Sequence, residues 1–379
     1  MPTLSDLQSV VDSGVRVGVT DLAPFPQERE RIVRSVANGL SGGLGFTYAS
    51  PEIASRPLSS FPWAASIVVI AVPYLIDGDA RLEYGHRSVA RFADGDRYAG
   101  VRAALSAIGE VLQGEGFRAD IVVDDDRLID RAVAVRAGVA WNGKSTMVLT
   151  PGQGPWILIG SVVTDATLDP TPVMVRGCGT CTACIPACPT GAIVEPGVLD
   201  ASLCLAAVLQ RPGPIPVTLR EAVGSRLYGC DECLTACPPG DQALLRVEQG
   251  RRPITAREIL GMSDGEIDAM FLHWYVPKRN MRFVRRNALV ALGNCGTDAD
   301  LGIIAGYLGH PDALLRQHAA WAAGSIGGGS AVQILRFARR HESDPHVAAE
   351  ISEALALTSS GEVYAEPESG QRRGRSEAE

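Results

Sequence analysis

The sequence has no apolar run long enough to span a bilayer, and its opening Met1-Pro2-Thr3-Leu4-Ser5-Asp6 lacks the basic segment, apolar core and cleavage site of a secretory signal. No twin arginine precedes an apolar stretch. These absences predict a cytoplasmic protein without a membrane partner, which we expect to be a monomer. Aromatic residues are few, at 6%, yet apolar residues reach 46% of 379, enough for two or three separately cored domains. The net charge of −8 excludes no partner, because a basic face can sit within an acidic average. Cysteine is almost missing outside one stretch: eight of nine fall between 178 and 237. Cytosolic thiols are kept reduced, so clustering of this kind argues for metal or cofactor binding over disulfides.

The first run is Cys178-Gly179-Thr180-Cys181-Thr182-Ala183-Cys184-Ile185-Pro186-Ala187-Cys188-Pro189. This C-x2-C-x2-C-x3-C-P spacing is that of bacterial ferredoxins with two [4Fe–4S] clusters, in which the fourth cysteine ligates the other cluster. The reciprocal run is Cys230-Asp231-Glu232-Cys233-Leu234-Thr235-Ala236-Cys237-Pro238, and Cys204 completes eight ligands. By the exchange rule, Cys178, Cys181, Cys184 and Cys237 hold one cluster, and Cys188, Cys204, Cys230 and Cys233 the other. A pair of zinc sites would also use C-x2-C knuckles, but the Cys-Pro endings and x3 spacing favour cubanes. Cys295 stands alone and is expected to be a small buried hydrophobe.

Around this module the chain divides into four. Residues 1–170 mix strand-like runs such as Ser66 to Val72 with helical stretches such as Tyr98 to Gly114, which predicts an α/β domain. A helix is expected over Arg127 to Ala137, capped by Asp126 and stopped by Gly138, followed by strands over Thr146 to Thr150 and Trp156 to Val163. Residues 171–245 form the two-cluster, ferredoxin-like domain. In 246–358, Asn287 to Gly293 is echoed by His318 to Gly324, which predicts HEAT-like helical repeats. Residues 359–379 are polar and expected to be disordered.

Upstream of the clusters, Val123-Asp124, Asp130 to Gly138, Gly143-Lys144-Ser145, Trp156 to Gly160 and Thr164-Asp165 resemble the epoxyqueuosine reductase family. The resemblance continues through both cysteine runs, Asp200 to Cys204, Leu227 to Asp231 and Arg285 to Ala288. It implies a corrinoid-binding catalytic domain, two [4Fe–4S] clusters and cobalamin as cofactors, an external electron donor, and removal of the epoxide oxygen from epoxyqueuosine in tRNA. By the same resemblance Asp124 is the proton donor, and Arg56, Val148, Ile159, Asp231 and Glu232 join Asp124 in lining the corrinoid. The chain departs from the family at Arg97-Tyr98-Ala99, where Asp-Tyr-His is usual, at Asp126-Arg127 in place of a small turn, and at Gly138-Val139-Ala140-Trp141 in place of Gly-Leu-Gly-Trp. These departures keep two alternatives open: a dehalogenase-like corrinoid reductase of another substrate, and a non-catalytic two-cluster electron carrier.

Two further signals need weighing. Gly138 to Ser145 satisfies the G-x4-G-K-[ST] phosphate-binding pattern, but it follows a helix and enters a strand, the reverse of a working phosphate loop. The run from Lys278 to Arg286 carries five cations and no acid. Lys278, Arg279, Arg282, Arg285 and Arg286 are therefore candidate phosphate contacts for a folded RNA, against the plainer reading of a solvated helix start.

Overall fold

The computed structural model describes residues 1–45, 48–76, 88–247 and 254–360. Apart from the end of the last helix at Ser360, the expected disordered tail lies outside the described residues. The near-continuous apolar run Ser66–Pro73 (β2) is a central strand. It pairs antiparallel with Arg16–Thr20 (β1) on one side and with Ile157–Thr164 on the other. Beyond that second neighbour lies Ala119–Val122 (β3), also antiparallel. Successive side chains of a strand point to opposite faces, so an unbroken apolar strand implies that both faces are covered. They are: Val68 and Ile70 pack with Val101, Leu105, Ile108 and Leu112, while Ile67, Val69 and Ala71 pack with Phe61, Leu128 and Val133. Each such side chain stabilises the layer by roughly 1.5–3 kcal/mol.

The helix Tyr98–Gly114 spans the predicted residues, and its buried positions fall on one face because 101, 105, 108 and 112 recur at helical spacing. The next helix departs from expectation. It covers Asp130–Arg136 with Ile129 at its N-cap, so Asp126 caps nothing. Asp125 is the reason: its Oδ1 accepts from the Arg127 backbone N–H at 2.9 Å and its carboxylate grips the same guanidinium, holding 125–127 in a turn. The strand expected from Thr146 shrinks to Val148–Leu149 (β5), paired with Trp141–Asn142 (β4). Thr146 has φ +70° and belongs to the hairpin turn. The strand Ile157–Thr164 is then β6, and a small hairpin of Ile193–Glu195 (β7) and Val198–Leu199 (β8) follows within the cysteine region.

After Cys204 the chain is helical. Leu205–Gln210 and Val217–Val223 share one apolar cluster with the helices Arg282–Cys295, Ala313–Ile326 and Pro345–Ser360. The core of the repeats therefore crosses the expected boundary at 245/246. The echo between Asn287–Gly293 and His318–Gly324 is a packing device. A Cβ on Gly293 would meet the Trp321 ring at 2.6 Å and the Ala322 Cα at 2.8 Å, and one on Gly324 would meet Ala354 at 2.7 Å. Each repeat thus lets the next helix approach through a missing side chain.

Candidate iron–sulfur centre and adjoining cleft

The first cysteine run folds as turns, with the Cys181 N–H donating to the Cys178 carbonyl at 3.0 Å and the Cys188 N–H to that of Ile185 at 3.2 Å, whereas the second places Cys233 in a short helix, Glu232–Thr235. Burial pushes the Cys237 thiol up, and its thiol neighbours are Cys178, Cys184 and Cys181. Burial also pushes Cys233 well up, and its thiol neighbours are Cys230, Cys204 and Cys188. Cys237 and Cys233 thus each have as neighbours the three cysteines that the exchange rule groups with them. Backbone donors face the sulfurs: Lys144 N–H to Cys178 Sγ at 3.4 Å and Ala192 N–H to Cys188 Sγ at 3.2 Å. Buried thiols that resist ionisation alone, with amides aimed at them, suit an anionic cluster that is deprotonated on metal binding. Cys295 is an exception to expectation as well as to the pattern, because it is exposed at the C-terminus of its helix.

A cleft of about 480 Å³ is lined by Asp96, Tyr98, Arg102, Val123, Asp124, Leu272 and His273. Asp124 follows the end of β3 and takes φ +50°, a conformation that costs most side chains energy but that aspartate tolerates. Its carboxyl opens into the cleft, yet desolvation by the surrounding protein raises its pKa, Arg131 opposing and Asp125 reinforcing the shift. Asp130, which the sequence marks only as part of the family-like stretch and not as a site residue, lies close by. Burial, and then the Asp124 charge, push Asp130 up to about 7, and its Oδ1 is buried without a hydrogen-bond partner. Burial also raises the phenols of Tyr98 and Tyr228, and Asp124 adds to the shift of both. Tyr98 and Asp124 line the cleft, and Asp130 and Tyr228 lie within reach of the Asp124 charge. A larger hollow of about 670 Å³ is lined only by residues 305–343 and contributes none of these groups.

Tyr228 links cleft to clusters, since Cys230 is two residues on and Arg131, which faces Asp124, also faces the Cys204 thiol. Gly229 has φ +71°, and a Cβ there would meet Ala90 at 2.5 Å, so only glycine permits the approach of this segment to 88–91. The helical part supplies the opposite wall. The Tyr228 ring stacks on Trp274 at 4.3 Å, and the Trp274 Nε1 and His273 Nε2 both lie 2.8 Å from the Ala93 carbonyl.

The remaining expected corrinoid contacts are scattered. Asp231 is paired with Arg91, its Oδ2 lying 3.1 Å from the guanidinium, and Glu232 is paired with Arg226. Val148 is buried and Ile159 half-buried in the apolar layer behind β3. Arg56 is exposed, 3.6 Å from Glu52, and does not line the cleft. The apparent phosphate loop is the β4–β5 turn, closed by the Gly143 N–H on the Met147 carbonyl at 2.8 Å, with no helix following it. Of the five cations, Arg285 and Arg286 must be withdrawn as phosphate contacts. Arg286 is 1% exposed and donates to the carbonyls of Arg211, Gly213 and Leu209, while Arg285 is held by Asp264, Tyr307 and Met262. Arg279 is paired with Asp268 and Arg282 with Asp312, whereas exposed Lys278 has no polar partner among the described residues.

The fold and site define an iron–sulfur oxidoreductase with helical repeats. Residues 177–240 match the 4Fe-4S double cluster binding domain, and residues 282–356 match HEAT repeats. The chain is 31% identical over 358 residues to an epoxyqueuosine reductase of Bacillus subtilis, covering 90% of this chain and 92% of that one. It is similar, at 29% identity and a TM-score of 0.83, to a crystal structure of epoxyqueuosine reductase with an epoxyqueuosine-modified tRNA-Tyr stem loop, covering 94% of this chain and 97% of that one. A Bacillus subtilis structure whose catalytic aspartate loop is swung out of the active site matches at 28% identity and a TM-score of 0.82, covering 93% and 97%. The chain belongs to the epoxyqueuosine reductase family.

Proposed function

We propose that the protein removes the epoxide oxygen of epoxyqueuosine in tRNA, using two [4Fe–4S] clusters and a cobalamin held at the Asp124 cleft. The observation that carries this reading is the raised carboxyl of Asp124, fixed at positive φ in a cleft that abuts the segment leading to Cys230. Loss of the oxygen as water leaves a carbon–carbon double bond and consumes two electrons and two protons. Bound beside the clusters, the corrinoid supplies low-valent cobalt, a strong nucleophile and reductant toward an epoxide. The chain's own task is then to relay single electrons and to deliver a proton to the departing oxygen. Desolvation disfavours the Asp124 anion, which suits this carboxyl to donating a proton from Oδ to the departing oxygen. Asp130 lies close enough to be shifted by the Asp124 charge, so ionisation of both carboxyls together is costly. The fold of a family member around a modified stem loop supports a tRNA substrate for this chain, with the unpaired Lys278 beside a phosphate.

The test is an anaerobic assay of protein reconstituted with iron, sulfide and cobalamin on epoxyqueuosine-containing tRNA, with nucleosides identified by mass spectrometry. Queuosine should form, and Asp124→Asn should slow its formation by about 10²–10⁴-fold, the usual worth of a positioned proton donor. That variant should keep both clusters and the corrinoid spectrum. No queuosine from the loaded wild type would overturn the substrate assignment, and near-normal turnover by Asp124→Asn would overturn the proton donor.

A further inference from the structure

We propose that Lys144, the lysine of the apparent phosphate loop, sets the reduction potential of the cluster held by Cys178, Cys181, Cys184 and Cys237. Lys144 sits in the β4–β5 turn and makes three contacts into the cysteine region. Its backbone N–H donates to Cys178 Sγ at 3.4 Å, its Nζ donates to the Gly179 carbonyl at 2.7 Å, and its carbonyl accepts from Gly197 N–H at 2.8 Å, in the β7–β8 turn. A cation is thereby fixed against the first cysteine loop, one residue from a ligating sulfur. No acid occurs from Thr171 to Val194, and the described structure gives Lys144 no carboxylate partner, so its charge is not cancelled by an ion pair there.

Reducing a [4Fe–4S] cluster adds one electron, and no proton, to a group already anionic through its thiolates. A fixed cation and an N–H donor to sulfur both favour the reduced form, and these are the levers by which proteins raise cluster potentials. The second quartet also receives an N–H, from Ala192 to Cys188 Sγ at 3.2 Å, but there the cations Arg226 and Arg131 are opposed by Asp231 and Glu232. Lys144, with no acid opposing it, therefore makes its own cluster easier to reduce than the same cluster would be without that charge. The glycines and lysine that mimic a nucleotide motif make a tight turn that aims a backbone N–H at a sulfur and fixes a charge on the adjoining Gly179 carbonyl. This inference rests on the grouping of the cysteines and not on the substrate or the corrinoid.

The experiment is an anaerobic redox titration of the reconstituted full chain without cobalamin, poised with dithionite and mediators and read by electron paramagnetic resonance. Three proteins are compared: wild type, Lys144→Gln and Lys144→Arg. Glutamine can still donate to Gly179 but carries no charge, while arginine restores the charge. Iron analysis establishes that each holds about eight iron atoms. In Lys144→Gln the reduced-to-oxidised ratio of one cluster at fixed poise should fall about three- to tenfold, the upper figure being about 59 mV for a one-electron couple. The other cluster should be unmoved, and Lys144→Arg should lie near wild type. Unchanged midpoints in Lys144→Gln, or an equal shift in Lys144→Arg, would overturn the proposal. Equal shifts of both clusters would instead show that the cysteines are grouped otherwise. Loss of iron from Lys144→Gln alone would make the charge a requirement for cluster assembly and overturn a role confined to potential.

Discussion

Asp130→Asn should stabilise the protein, and increasingly so as pH rises. The Asp130 carboxyl is raised from 3.8 to about 7, first by burial and then by the neighbouring Asp124 charge, and its Oδ1 has no partner. The native state therefore holds this proton more tightly than the unfolded chain does. Stability linked to the group is fully present below about pH 4 and is lost as pH rises through about 7. A shift of roughly three units corresponds to a ceiling of about 4 kcal/mol. Local relaxation and water entry reduce that to about 2–4 kcal/mol above pH 7, with about 1–2 kcal/mol of it appearing between pH 5 and pH 8. Asparagine keeps the shape and removes the charge. Urea unfolding of the anaerobic, cluster-loaded protein at pH 5, 6, 7 and 8 should show the variant gaining on wild type across this range. The Asp124→Asn background should shrink the gain, because one cause of the shift is then gone. A gain independent of pH, or a loss that grows with pH, would refute the reasoning by showing that the Asp130 anion is already compensated.

Reconstituted wild type should contain about eight iron and eight sulfide per chain, and Cys295→Ser should leave both unchanged, since Cys295 is exposed on the repeats; chemical iron analysis checks this. Arg286→Ala should destabilise the chain by about 3–5 kcal/mol in urea unfolding, because it leaves the Arg211, Gly213 and Leu209 carbonyls unserved in the interior. Lys278→Ala should weaken tRNA binding uniformly and reduce the slope of log affinity against log salt by about one, with stability unaltered, as a salt series of binding curves would show.

What the sequence revealed, and what it hid, follows from how local each cause is. The cysteine runs were legible because a cubane imposes ligand spacing along the chain itself. The helix Tyr98–Gly114 was legible because its buried face repeats at helical period. The helix start at Asp130 was missed because one side chain, Asp125, diverts Arg127 into a turn, a competition that composition does not disclose. Arg285 and Arg286 look like surface charge because their partners lie elsewhere, at Asp264 and at Arg211 to Gly213. Asp130 was hidden for the same reason, since its shift comes from tertiary burial and a neighbour that only the fold sets beside it.

The repeats have a part in the site as well as in substrate holding. Ala93 borders the cleft segment that carries Asp96 and Tyr98, and its carbonyl is 2.8 Å from both Trp274 Nε1 and His273 Nε2. Trp274 also stacks between Tyr228 and Phe271, and the Tyr228 hydroxyl accepts from the Tyr275 N–H at 2.9 Å and donates to the Tyr275 carbonyl at 3.2 Å. Tyr228 is thus fixed from the helical side while its chain continues into Cys230. A carboxyl keeps an elevated pKa only while its surroundings stay dry, and the wall opposite Asp124 is made by Leu272 and His273 of this helical segment. The proton inventory of the cleft therefore depends on residues outside the catalytic layer. One continuous apolar core runs from the helices of the cluster region into the repeats, and it holds Leu272 and His273 in place at the cleft by anchoring Phe271 and Trp274 on either side of them.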